Sequence, residues 1–229
     1  MTPSPLVRLA GPIAMLAGVL ICVAQVGMLA TLDIDDRGAS LLNWLFVASM
    51  ATYWVGLGVL LLALVATYEA QARRAGSFGL VTFVAAFAGT TLLAGNHWFD
   101  TFAGPWIADA APQLLAGPVD HPVLTTAALA SYALFSVGWI LYGIASARAG
   151  IYPMAGSIGI AAGGAFGFLA LSAPFGVPLG LAVGALGAWI IWRSSSAVAA
   201  VPRPATAPRE VGGIDAAVPT SAPTTPANE

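Results

Sequence analysis

The sequence predicts an all-α, polytopic membrane bundle of six transmembrane helices with both termini cytoplasmic. Three observations predict it. Six runs, at 9–32, 41–68, 77–95, 123–147, 151–173 and 175–192, contain no Asp, Glu, Lys, Arg or His, and about 20 apolar residues suffice for one helical crossing. Only 8% of the chain is charged, where a soluble domain carries roughly 25%, so nearly all of the fold must sit in lipid. If six crossings are drawn, Arg8, Arg73, Arg74, Arg148 and Arg193 fall on one side. Arg37 falls on the other, with Asp33, Asp35, Asp36, Asp100, Asp109 and Asp120. Short-loop arginines mark the cytoplasmic side.

The first run follows Arg8 and resembles a signal peptide only superficially. It is too long for an h-region, and no small-x-small cleavage site precedes Asp33. Ile21 before Cys22 does not suit a lipoprotein cleavage site, so a retained helix is expected. Cys22 is the single cysteine. It forms no internal disulfide and reads as a small core filler. The second and fourth runs both end at Arg-Ala-Gly, 74–76 and 148–150. This echo reads either as a parallel duplication or as chance in a Gly/Ala-rich chain.

The fifth and sixth runs carry glycines every fourth residue: Gly159, Gly163 and Gly167, then Gly176, Gly180 and Gly184. Four-residue spacing keeps each set on one helix face, where small residues let backbones approach. A tight antiparallel hairpin between these two helices is expected. The alternative is that one set faces another subunit. Trp44, Trp98 and Trp106 are expected at the outer membrane interface, and Tyr68, Tyr152, Trp189 and Trp192 at the inner one. The bundle is assigned to 1–193. Residues 194–229 carry Pro202, Pro204, Pro208, Pro219, Pro223 and Pro226 among Ala, Ser and Thr. They read as a disordered cytoplasmic tail, because such a composition cannot bury enough apolar surface to offset its ordering entropy.

One loop carries the candidate chemistry. Between the third and fourth helices lie His97, Asp100, Asp109, Asp120 and His121, which include both histidines of the chain. Pro105 suits a first helical position, and a short interfacial helix over 105–115 is expected. Its Trp106, Ile107, Ala110 and Leu114 face should pack on the outer end of the bundle as a lid. His97 would then be half-shielded, and the carboxylates solvated for want of a cation inside the membrane. No HExxH or comparable signature occurs, and a zinc site normally needs three or four converging ligands. No catalytic, cofactor-binding or metal-ligating residue is therefore assigned. The absence of Lys excludes Schiff-base chemistry, and the net charge of −2 excludes a basic nucleic-acid footprint.

The stretch Gly95-Asn96-His97-Trp98-Phe99-Asp100-Thr101-Phe102, with 105–109 after it, and the stretches 137–143 and 148–153 carry a resemblance. Over 8–193 the chain resembles a group of uncharacterised six-helix membrane proteins from high-GC actinobacteria. The resemblance implies a bacterial plasma-membrane location and no activity. The leading expectation is a non-catalytic membrane protein with a structural, regulatory or partner-binding role. Its partners would be the lipid bilayer and either a second membrane protein or further copies of itself, and no nucleic acid. The alternative is a small transporter or channel-like protein for a neutral or lipidic solute, with a cavity near Trp54, Tyr132 and Trp139. A membrane enzyme comes third.

Overall fold

The computed structural model describes residues 4–33, 36–115, 122–169 and 173–199. They form α1 (Pro5–Thr31), α2 (Arg37–Leu42), α3 (Trp44–Phe102), α4 (Gly104–Ala110), α5 (Pro122–Ala149), α6 (Met154–Phe166) and α7 (Val177–Ala199). Single 3-10 turns follow α4 at Pro112–Leu114 and α6 at Gly167–Leu169. No strand occurs among the described residues. Four stretches are long and apolar enough to cross a membrane: Pro5–Thr31, Trp44–Ala110, Pro122–Ala149 and Val177–Ser196.

α3 is not one rod. Gly76 breaks it with φ 60° and ψ −156°, a left-handed conformation open to glycine at little cost. The two arms, 44–75 and 77–102, then fold back on each other. Tyr68 stacks on Phe83 with ring centroids 4.3 Å apart. Farther from the turn, Tyr53 meets His97 at 4.6 Å and Trp54 meets Phe102 at 5.7 Å. Gly150, after α5, has nearly the same φ, 63°. The Arg-Ala-Gly echo is thus a repeated helix stop, in which glycine takes the left-handed position beyond the last turn. The two stops meet at one end of the bundle, where the Arg148 guanidinium lies 4.8 Å from the centre of the Phe78 ring.

Six segments alternate in direction around a ring: α1, the two arms of α3, α5, α6 and α7, which returns to α1. Close approaches fix each neighbour. Gly56 faces Leu20 and Ile21 of α1, Gly138 lies against Ala86, Gly143 against Ala161, and Gly163 against Leu179. The first arm of α3 also runs parallel to α5. There the Thr67 and Tyr142 hydroxyls are 2.8 Å apart, and Gln71 Nε2 donates to Ser146 Oγ at 2.9 Å.

The contacts are made largely by small residues, and the large aliphatic ones point outward. In α1, Ala10, Gly11, Ala14, Ala17 and Gly18 are buried, while Leu9, Leu16, Val19, Val23 and Val26 are exposed. That is the pattern of helices in lipid, where tails solvate leucine well and close backbone packing supplies the cohesion.

The glycine sets do not face each other as the hairpin reading required. α6 and α7 are antiparallel neighbours, with Gly163 against the Leu179 backbone and Gly159 against Ala182. But Gly167 packs on Phe135 of α5, and Gly176, Gly180 and Gly184 all face α1, at Gln25, Cys22 and Gly18. α6 is also shorter than its apolar run 151–173. With its 3-10 turn it spans about 26 Å at standard rise per residue, short of the roughly 30 Å hydrocarbon core. α7 runs on to Ala199, past the boundary expected at 193. Ser194, Ser195 and Ser196 hydroxyls donate back to carbonyls one turn earlier. The tail from 200 onward lies outside the described residues.

Candidate functional site

The ring divides the polar residues between two ends. One end carries Arg73, Arg74, Arg148 and Arg193, and the other carries Asp33, Asp36, Arg37, Asp100 and Asp109. A cavity of about 290 Å³ opens at the acidic end. Its polar wall is Asp33, Arg37, His97 and Asp100. Its apolar wall is Met28, Leu32, Leu41, Phe46, Met50 and Ala173.

α2 roofs this end. Asp36 caps it, its Oδ1 accepting the Ala39 N–H at 2.9 Å, and the Ser40 hydroxyl accepts the Asp33 N–H at 2.7 Å. Asn43 ends α2 and caps α3, its side chain accepting the Leu45 N–H at 3.0 Å. With the backbone so fixed, Leu41 turns inward, is 3% exposed, and lies against Gly104 of α4. Arg37 reaches across to the end of α3, where Nη2 lies 3.5 Å from Asp100 Oδ1. That distance is at the long limit of a hydrogen bond. Both partners keep solvent contact, so the pair contributes little to stability.

His97 sits deeper, one turn before Asp100. It is 5% exposed and stands edge-on to the Tyr53 ring. Neither ring nitrogen has a hydrogen-bond partner among the described residues. On α1, Gln25 Oε1 accepts the Gly176 N–H at 3.4 Å. Gln25 Nε2 and Thr101 Oγ1 are also buried without partners. Elsewhere the buried polar groups mostly find each other. Trp139 Nε1 donates to Thr90 Oγ1 at 3.0 Å, Ser136 Oγ donates to the Gly164 carbonyl at 2.7 Å, and the Tyr152 hydroxyl donates to the Thr67 carbonyl at 2.9 Å. Asn96 Nδ2 donates to Ser131 Oγ.

Of the loop cluster, the structure brings together His97 and Asp100. Asp109 lies exposed on α4, away from the cavity wall. Asp120 and His121 lie outside the described residues. No group of three or more His, Cys, Asp or Glu side chains converges as metal ligands among the described residues. Two expectations are corrected. Asp100 is not purely solvated, because Arg37, a residue of the other acidic-end loop, reaches it. And α4 turns Gly104 and Ala108 inward, while Trp106, Ala110 and Leu114 are exposed. Glycine and alanine permit the close approach to Leu41 that a Trp106 face would block. The element over the cavity that sequence reasoning missed is α2. Its signal was present as Asp36 three residues before Ala39, with Asn43 closing the turn. Trp139, expected near a cavity, is instead packed and hydrogen-bonded.

Comparison with family models, with curated proteins and with solved structures finds no match to this chain.

Proposed function

We propose that this chain is a six-crossing plasma-membrane protein with both termini cytoplasmic, and that it recognises a small ligand in the acidic-end cavity without catalysing a reaction. The observation that carries the recognition role is His97: a buried imidazole on a cavity wall with both nitrogens unpaired. Burying an unpaired polar group costs roughly 1–3 kcal/mol by protein mutational data, a cost that a ligand bonded to it would offset. The concentration of arginines at the opposite end supports the orientation. The second arm of α3 and the short α6 supply the two crossings beyond the four long apolar stretches. The short α2 and α4 then lie at the outer interface, with Trp44, Trp98 and Trp106 exposed around them. The middle of the bundle is filled by Leu57, Leu60, Leu64, Trp139 and Tyr142, which counts against a conduit.

Two experiments test this reading. In a Cys22→Ser background, Ala39→Cys should react with a membrane-impermeant maleimide from outside the cell, and Ser196→Cys only after lysis. Reaction of both from the same side would overturn the six-crossing topology. A small-molecule thermal-shift screen of the full chain in nanodiscs tests recognition. A ligand at about one hundred times its Kd stabilises by about 2.7 kcal/mol. Compounds that stabilise wild type should lose that effect in Met50→Trp, which fills the cavity. An equal effect in both proteins, or no stabilising compound, would refute the site.

A further inference from the structure

Resting on that recognition role, we infer that the acidic-end cavity takes a small organic ammonium: a protonated amine carried on a compact apolar body. Three features of the cavity select this chemistry. First, its polar wall holds two carboxylates, Asp33 and Asp100, against one guanidinium, Arg37. An entering anion meets the larger like charge, and an entering cation meets the larger opposite one.

Second, the hydrogen-bonding groups suit a compact donor. An ammonium presents N–H groups in several directions. Asp100 accepts charge-assisted bonds, and a neutral imidazole offers one lone pair to a donor. His97 lines the cavity and has both nitrogens buried and unpaired among the described residues, so a small turn of its ring would bring that acceptor to a ligand without breaking a bond of the fold. Arg37 competes only weakly. It engages one Asp100 oxygen at 3.5 Å, and its side chain is 54% exposed, so it can move outward into water when a ligand cation arrives.

Third, the remaining wall is apolar and adaptable. Met28 and Met50 have unbranched, polarizable side chains that mould to irregular shapes. Phe46 adds an aromatic ring to the wall, a group that attracts cations as well as apolar bodies. A volume of about 290 Å³ lies at the lower edge of the roughly 300–1,000 Å³ range of ligand sites, which fits a single-ring or short-chain amine.

The test uses three probes of one shape and different charge: 2-phenylethylamine, 2-phenylethanol and 3-phenylpropionate. Binding to the full chain in zwitterionic nanodiscs is measured at pH 7 by calorimetry, with empty nanodiscs subtracted to remove partition into lipid. The amine should bind about tenfold tighter than the alcohol or better, and the carboxylate should bind weakest. Asp100→Asn should abolish the amine's advantage over the alcohol. Arg37→Gln should tighten amine binding by removing the competing cation, and this second variant keeps the test decisive if Asp100→Asn does not fold. Equal binding of amine and alcohol, tightest binding of the carboxylate, or an amine preference that survives Asp100→Asn would overturn the ammonium inference while leaving recognition at the cavity standing. So would amine affinity unchanged or weakened in Arg37→Gln. Failure of all three probes to bind wild type overturns the inference and, taken with an empty thermal-shift screen, the recognition role as well.

Discussion

At Gly18 the backbones of α1 and α7 come into close contact, and a single methyl group there should measurably separate them. A Cβ built on Gly18 meets the Gly180 carbonyl oxygen and lies 2.7 Å from both the nitrogen and the Cα of Gly184. These are all backbone atoms. No rotamer change relieves them, so the helices must part by about 1 Å to restore ordinary contact, and overpacking of this kind costs roughly 1–3 kcal/mol. Gly58→Ala is the internal control, since nothing lies within 4 Å of its Cβ position. Both substitutions carry the same gain in helix propensity, up to about 1 kcal/mol, so their difference isolates the contact. Reversible unfolding in mixed micelles, followed by far-ultraviolet circular dichroism, should therefore give Gly18→Ala about 1–3 kcal/mol less stability than Gly58→Ala. At about 2 kcal/mol the folded-to-unfolded ratio falls by a factor of roughly 30. If the two variants agree within about 0.5 kcal/mol, the usual error of additivity, α1 and α7 do not pack backbone to backbone as described.

Three further outcomes are expected. Gly76→Ala and Gly150→Ala should each cost about 1–3 kcal/mol, the penalty for a side chain held at positive φ, and equal stability to wild type in both would contradict the paired helix stops. Leu41→Ala should cost about 2–5 kcal/mol as a buried large-to-small change, whereas Trp106→Ala, at a site 70% exposed, should be nearly neutral in detergent. The reverse order would restore α4 as the lid. A Thr67→Val and Tyr142→Phe double-mutant cycle should show coupling of about 0.6 kcal/mol, the average for hydrogen bonds between membrane helices, and additivity would deny the bond.

What the sequence made legible was whatever the solvent imposes. Lipid demands long uncharged helices, and those appear as apolar runs. The runs could not say which face of each helix meets which neighbour, because in lipid the buried face is marked by smallness and not by hydrophobicity. The glycines at 176, 180 and 184 therefore marked a real contact face on α7 but left its partner open between α6, α1 and another chain. Gly11 and Gly18, the matching residues of α1, stand seven apart rather than four and did not stand out. The site was half legible. His97 and Asp100 were visible as a three-residue pair on one helix. Arg37 and Asp33, far away in sequence, join them only because α1 and the arms of α3 bring both loops to one end. The Arg-Ala-Gly echo was visible too, and its cause is the shared need to stop a helix.

A buried histidine without partners on a cavity wall is what makes the acidic end a candidate for function. Near the arginine end, several buried polar groups are matched across helices, Thr67 to Tyr142, Gln71 Nε2 to Ser146 and Tyr152 to the Thr67 carbonyl, while Gln71 Oε1 and Ser157 Oγ find no partner among the described residues. Such bonds fix the register of neighbouring helices and return much of the cost of burying their members. At the acidic end Gln25 Nε2, Thr101 Oγ1 and both nitrogens of His97 find no partner among the described residues. Leucine in place of His97 would fill its space against Tyr53 without that cost, so packing alone does not account for a histidine here. Of these groups His97 lines the acidic-end cavity, whose wall also holds the weak ion pair of Arg37 and Asp100. Buried polar atoms without partners are uncommon in folded proteins and call for a specific explanation. On the proposed reading, a bound guest would give the His97 imidazole a partner that the described residues do not provide.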